Sequence, residues 1–266
     1  MPQTVKDLER AAGVGDLAFV QRHGPRFVHR VACYALHEAS KQGHHQVVRE
    51  LLRQGYSPCV LRNEGYWKKR TPLQYACERG HLLVVRELLS HEATDPNFQT
   101  TELVNDTALH LAAAAGRVSV IQELVVAGAG LEILNSSGES PLHVAVREGQ
   151  TEAVQCLCSL HASCHCVLHT AVHYSQLAAL KQLLDHAPAW SIDVDEANPK
   201  GRTALVLACE LGESQCALLL LRAGASLTGL EKVCYSAVLF KPPHVVAFSQ
   251  SHGQAATASF SCSPRH

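Results

Sequence analysis

Apolar, polar and small residues recur along this chain in a fixed order. The order is plainest in Thr71-Pro72-Leu73-Gln74-Tyr75-Ala76, Thr107-Ala108-Leu109-His110-Leu111-Ala112 and Ser140-Pro141-Leu142-His143-Val144-Ala145. Leu and Ala three apart share one helix face. Thr or Ser before them can cap a helix by accepting a backbone N–H from its first turn. Pro at the first helical position sacrifices no hydrogen bond. Gly80, Gly116 and Gly149, each four residues after the Ala, can end that helix in the left-handed conformation. A second apolar run then follows, Val84-Val85 with Leu88-Leu89, and Val120-Ile121 with Leu124-Val125. The pattern predicts pairs of short antiparallel helices.

Helix openings fall at Tyr34, Thr71, Thr107, Ser140, Cys166 and Thr203, with spacings of 37, 36, 33, 26 and 37 residues. An atypical first unit fits Leu8, Ala11, Gly15, Phe19 and Val20. One helix pair cannot bury its own apolar face, so units at a fixed period must stack into a solenoid. Residues 1–31 read as an atypical N-terminal capping unit and 32–228 as the repeats. Residues 229–266 read as a divergent, partly disordered tail. The 26-residue spacing predicts a lost hairpin between the fifth and sixth units, and the weakest part of the stack near residues 161–166.

These phrases and their period resemble the ankyrin repeat, over roughly residues 4–228 in seven units. The resemblance implies an all-α solenoid of stacked helix-turn-helix units with β-hairpin fingers. It implies a non-catalytic scaffold or adaptor that binds a protein through the concave face and fingers. The histidines after the motif Leu, His37, His110, His143 and His169, would bond neighbouring backbone. Leu89, Asp95 and Asn97 loosely resemble the ankyrin pattern modified by an asparaginyl hydroxylase, with Pro96 in place of an apolar residue.

Three connections exceed the period: 55–70, 92–106 and 186–202. The first carries Tyr56, Arg62, Tyr66, Trp67, Lys68, Lys69 and Arg70, a composition suited to an acidic or aromatic peptide. Phe98 and Trp190 are the aromatic candidates of the other two. The third is acidic, with Asp193, Asp195 and Glu196, and opposed charge could orient a bound segment.

Composition narrows the partner class. Lys and Arg number 23 against 24 Asp and Glu, so no basic footprint suggests nucleic acid. No apolar stretch approaches the roughly 18 residues of a membrane helix. The opening MPQTVKDLERAAG lacks an apolar core, so no secretory signal is expected. The 11 cysteines then read as free thiols in a reducing compartment, with Cys77, Cys209 and Cys216 as small core residues. A cytoplasmic monomer is expected, with the nucleus left open.

No nucleotide, hydrolase or metalloprotease motif is visible, and no cofactor is expected. Cys156, Cys158, His161, Cys164, His165, Cys166 and His169 form a dense Cys/His cluster. Its C-x-C spacing is not that of common zinc modules, so it reads as repeat packing without metal. In the tail, Leu230, Cys234 and Val238 resemble the core of an elongin-binding SOCS box. That resemblance implies an alternative, the substrate-recognition subunit of a cullin-type ubiquitin ligase.

Overall fold

A computed structural model describes residues 5–27, 33–59, 62–63, 69–99 and 105–230. Among them are seven helix pairs: α1 (Val5–Val14) and α2 (Leu17–His23), α3 (Cys33–Gln42) and α4 (His45–Arg53), α5 (Pro72–Arg79) and α6 (Leu82–Leu89), α7 (Ala108–Ala114) and α8 (Val118–Val126), α9 (Pro141–Arg147) and α10 (Thr151–Ser159), α11 (Val167–His173) and α12 (Leu177–Asp185), α13 (Ala204–Leu211) and α14 (Ser214–Arg222). First helices pack on the next first helix and second helices on the next second helix, making two layers along the stack. A 3-10 turn, Gly24–Phe27, follows α2. The described residues hold one strand pair, β1 (Arg62–Asn63) and β2 (Lys69–Arg70), in antiparallel register, Arg62 with Arg70 and Asn63 with Lys69.

The motif Leu is buried in every pair, at Leu8, Leu36, Leu73, Leu109, Leu142, Leu168 and Leu205. The Ala three residues on is buried beside it, from Ala39 to Ala208. Its small side chain lets adjacent helices approach closely. Second helices contribute Val48 and Leu51, Val85 and Leu88, Ile121 and Leu124, Val154 and Leu157, Leu180 and Leu183. Together they form one continuous core. Cys77 and Cys216 are buried free thiols within it, while Cys209 is half-buried.

Helix starts follow the capping logic. The Thr71 and Thr107 hydroxyls accept from Gln74 N and His110 N, and residues 74 and 110 reach back to the cap's own N–H, closing capping boxes. Ser140 and Thr203 cap α9 and α13. Cys166 differs: its φ is 55° and its side chain makes no cap bond.

Gly43 shows why glycine ends a first helix. Its φ is +85°, and a Cβ there would lie 2.7 Å from His81 Nδ1 of the next unit. The ring needs that space, because His81 Nε2 donates to Lys41 O at 3.0 Å.

Candidate functional site

The polar residues of the repeat join one unit to the next. His37 Nε2 donates to Arg70 O at 3.2 Å, His110 Nε2 to Glu139 O at 3.0 Å, His143 Nε2 to His165 O at 3.0 Å and His169 Nε2 to Arg202 O at 2.7 Å. In the third unit Gln74 takes this role, donating to Asp106 O at 3.0 Å. Each bond ends on the carbonyl just before the next helix cap. Thr107 N donates to His110 Nδ1 at 3.2 Å, so the ring carries its proton on Nε2. Burial pushes the pKa values of His110 and His143 down.

A second ladder runs through the connections. Asn97 Oδ1 accepts from Gly130 N at 2.8 Å, Glu132 Oε1 from Ser163 N at 2.7 Å and Asp195 Oδ1 from Ser226 N at 2.7 Å. Ion pairs eight residues apart tie finger bases to first helices: Arg70 with Glu78, Glu139 with Arg147, Arg202 with Glu210. Neither set is evident from the chain alone, although their members are spaced by about one or two repeats. Aligning the connections unit against unit would have exposed them.

Against this frame the candidate binding residues separate. Tyr56 is corrected: it is 1% exposed, and its hydroxyl donates to Gly24 O at 2.8 Å. Its N–H bonds Leu51 O, as Ala129 N bonds Leu124 O and Ala225 N bonds Leu220 O. Tyr56 therefore fills a position that is buried in other units, and it offers a partner no surface. Arg70 is partly buried, paired with Glu78 and set over the Tyr75 ring 5.9 Å from its centroid. Backbone pairing places Arg62 and Lys69 in the first finger's strands. Tyr66, Trp67 and Lys68 lie outside the described residues.

Phe98 is half-buried, and its carbonyl accepts from Gln74 Nε2 at 3.3 Å. Trp190 packs against the core and stacks on His186, with ring centroids 4.7 Å apart. The acidic third finger is largely engaged: Asp193 Oδ1 accepts from Asp195 N at 2.9 Å, and Asp195 reaches Ser226 as above. Glu196 Oε2 accepts from Cys166 N at 2.7 Å.

The Cys/His cluster does not gather as one group. Cys158 and Cys164 bring their sulfurs to 3.8 Å. His165 and Cys166 turn instead toward Glu196, 30 residues along the chain, and these three side chains put ligand atoms within 4.8 Å of one another. An open cavity of about 600 Å³ adjoins His165 and Glu196, lined also by Cys164, His161 and Trp190. Of the SOCS-like tail residues, Cys234 and Val238 lie outside the described residues.

No helix among the described residues is long and apolar enough to cross a membrane. The family model for ankyrin repeats (3 copies) matches residues 8–100, 85–167 and 161–229. The human transient receptor potential cation channel subfamily A member 1 is 32% identical over 154 residues, which cover 54% of this chain and 13% of the channel. Its Caenorhabditis elegans homolog is 28% identical over 181 residues, 66% of this chain and 14% of that protein. The mouse B-cell lymphoma 3 protein homolog is 27% identical over 137 residues, 47% of this chain and 31% of that protein. The chain thus spans less than a third of the length of each of these three relatives. Among solved structures, the human ASB11 ankyrin repeat domain superposes with a TM-score of 0.66 at 24% identity, covering 81% of this chain and 96% of that one. The Bcl-3 ankyrin repeat domain gives 0.65 at 24%, covering 83% and 99%. Both show the fold. With seven stacked helix pairs, capped and bonded unit to unit, and a family model spanning nearly all of them, this chain belongs to the ankyrin-repeat family.

Proposed function

We propose that this chain is a non-catalytic adaptor that holds a protein partner, with the first finger, residues 55–70, as its recognition element. Ankyrin repeats are generally protein–protein interaction modules. The repeat's own caps, histidines and finger-base ion pairs are engaged inside the stack, so specificity falls to residues that do not repeat. One observation carries the choice of finger: β1 and β2 pair in register, and the five residues joining them include Tyr66, Trp67 and Lys68. A finger held by paired strands loses less freedom on binding than a slack loop. Its aromatic and basic side chains suit an acidic or aromatic segment. Arg70, anchored to Glu78, sets the base of that finger.

The test is affinity capture from a cell lysate with the intact chain and with a Tyr66→Ala, Trp67→Ala, Lys69→Ala variant, both checked for native helicity by circular dichroism. A partner retained by the intact chain and lost by the variant supports the reading. Equal recovery by both chains removes the first finger as the recognition element.

A further inference from the structure

The connection between the fifth and sixth units, residues 160–166, departs most from the repeat. It is short, and among its residues His161 and Cys166 adopt positive φ, 65° and 55°. Cys166 stands where Thr71, Thr107, Ser140 and Thr203 cap their helices, yet its thiol caps nothing. The helix start is served from elsewhere, by Glu196 Oε2 accepting from Cys166 N at 2.7 Å. The other oxygen of the same carboxylate contacts His165 Nδ1. His143 Nε2 holds the His165 carbonyl from the opposite side, at 3.0 Å. The backbone at 165–166 is thus fixed by two neighbouring units, and an imidazole, a thiol and a carboxylate converge on its outer side.

We propose that His165, Cys166 and Glu196 form a binding site for a thiophilic divalent cation, zinc above all, which ties the shortened connection to the third finger. Nitrogen, sulfur and oxygen donors in a set of three match an open zinc site, in which water takes the fourth position. Tetrahedral coordination at about 2.0–2.3 Å needs ligand atoms roughly 3.3–3.8 Å apart. The three atoms already lie within 4.8 Å of one another, so small side-chain rotations close the site. His165 is exposed and the cavity of about 600 Å³ is open, which gives an ion and its water a way in. Cys158 and Cys164, 3.8 Å apart, lie outside this set. The proposal goes beyond the partner-binding reading and stands independently of it.

The experiment titrates the reduced, full-length chain with cobalt(II) as a spectroscopic probe and displaces it with zinc. One equivalent is expected to give thiolate-to-cobalt charge-transfer absorption, lost when zinc is added. Cys166→Ser is expected to abolish that band. Glu196→Gln is the decisive variant, because its amide oxygen can still accept the Cys166 N–H while the carboxylate charge is gone. It is expected to keep its circular dichroism spectrum and bind zinc about tenfold more weakly or worse, since even substitutions outside the ligand set cost that much. A Cys158→Ser, Cys164→Ser variant is expected to bind as the natural chain does. The proposal is overturned if no stoichiometric band appears, if the band survives Cys166→Ser, if Glu196→Gln binds zinc unchanged, or if the band depends on Cys158 and Cys164.

Discussion

Tyr56 shows how one residue's role depends on its register in the unit. Its ring fills a slot that Ala129 and Ala225 occupy elsewhere, and its hydroxyl answers the Gly24 carbonyl. Tyr56→Phe removes that donor and is expected to cost about 1–3 kcal/mol, since a buried carbonyl loses its partner. Tyr56→Ala adds a cavity and is expected to cost about 3–5 kcal/mol. Urea unfolding checks both, and equal stability of Tyr56→Phe and the natural chain would remove the hydrogen bond's role. Buried His110 and half-buried His143 add a pH dependence. Burial lowers the pKa values of His110 and His143 in the folded state, so the unfolded chain takes up protons first as pH falls. Their contribution is present above the unfolded value of about 6.5 and is lost progressively below it. His110→Gln copies what Gln74 already does in the third unit. It is expected to retain the fold and make the stability profile shallower below about pH 6.5.

At the scale of elements, the helix pairs were readable from the chain because Leu and Ala recur three apart in every unit, and a capping hydroxyl and a glycine join them in the third, fourth, fifth and seventh. Gly43→Ala is expected to destabilise the chain by more than 1 kcal/mol, as a positive φ and a 2.7 Å approach to His81 Nδ1 act together. Adding His81→Ala relieves the approach but not the φ, so the double variant should recover only part of the loss against His81→Ala alone. The connections were less readable. Composition placed Tyr56 with the finger aromatics, though the residue after Gly55 belongs to the close of the helix pair. Composition likewise grouped seven Cys and His residues by nearness in sequence. Ligand geometry instead joins two of them to Glu196, which the acidic third finger concealed. Contacts between units at spacings near 30 residues leave no local pattern, and this is why they escaped.

Across the whole molecule, stability is a sum of unit and interface terms, so a weak junction limits cooperativity. The junction at 160–166 lacks a capping hydroxyl and relies on carboxylates borrowed from neighbouring connections. Glu132→Ala is expected to speed amide exchange at Ser163 about tenfold or more, the factor for a lost hydrogen bond to a charged group. Unchanged exchange there would show that the backbone is held by packing alone. Repeating residues thus hold the stack together, and in the proposed reading the first finger is left to meet the partner. The chain has two tryptophans, Trp67 in that finger and Trp190 stacked on His186. The most direct measurement is a fluorescence titration of a Trp190→Phe chain, in which Trp67 is the sole reporter, with the partner recovered by capture. A saturable change in Trp67 emission, weakening as salt is raised, is the result expected. Binding that saturates by calorimetry while Trp67 emission stays constant would contradict the account.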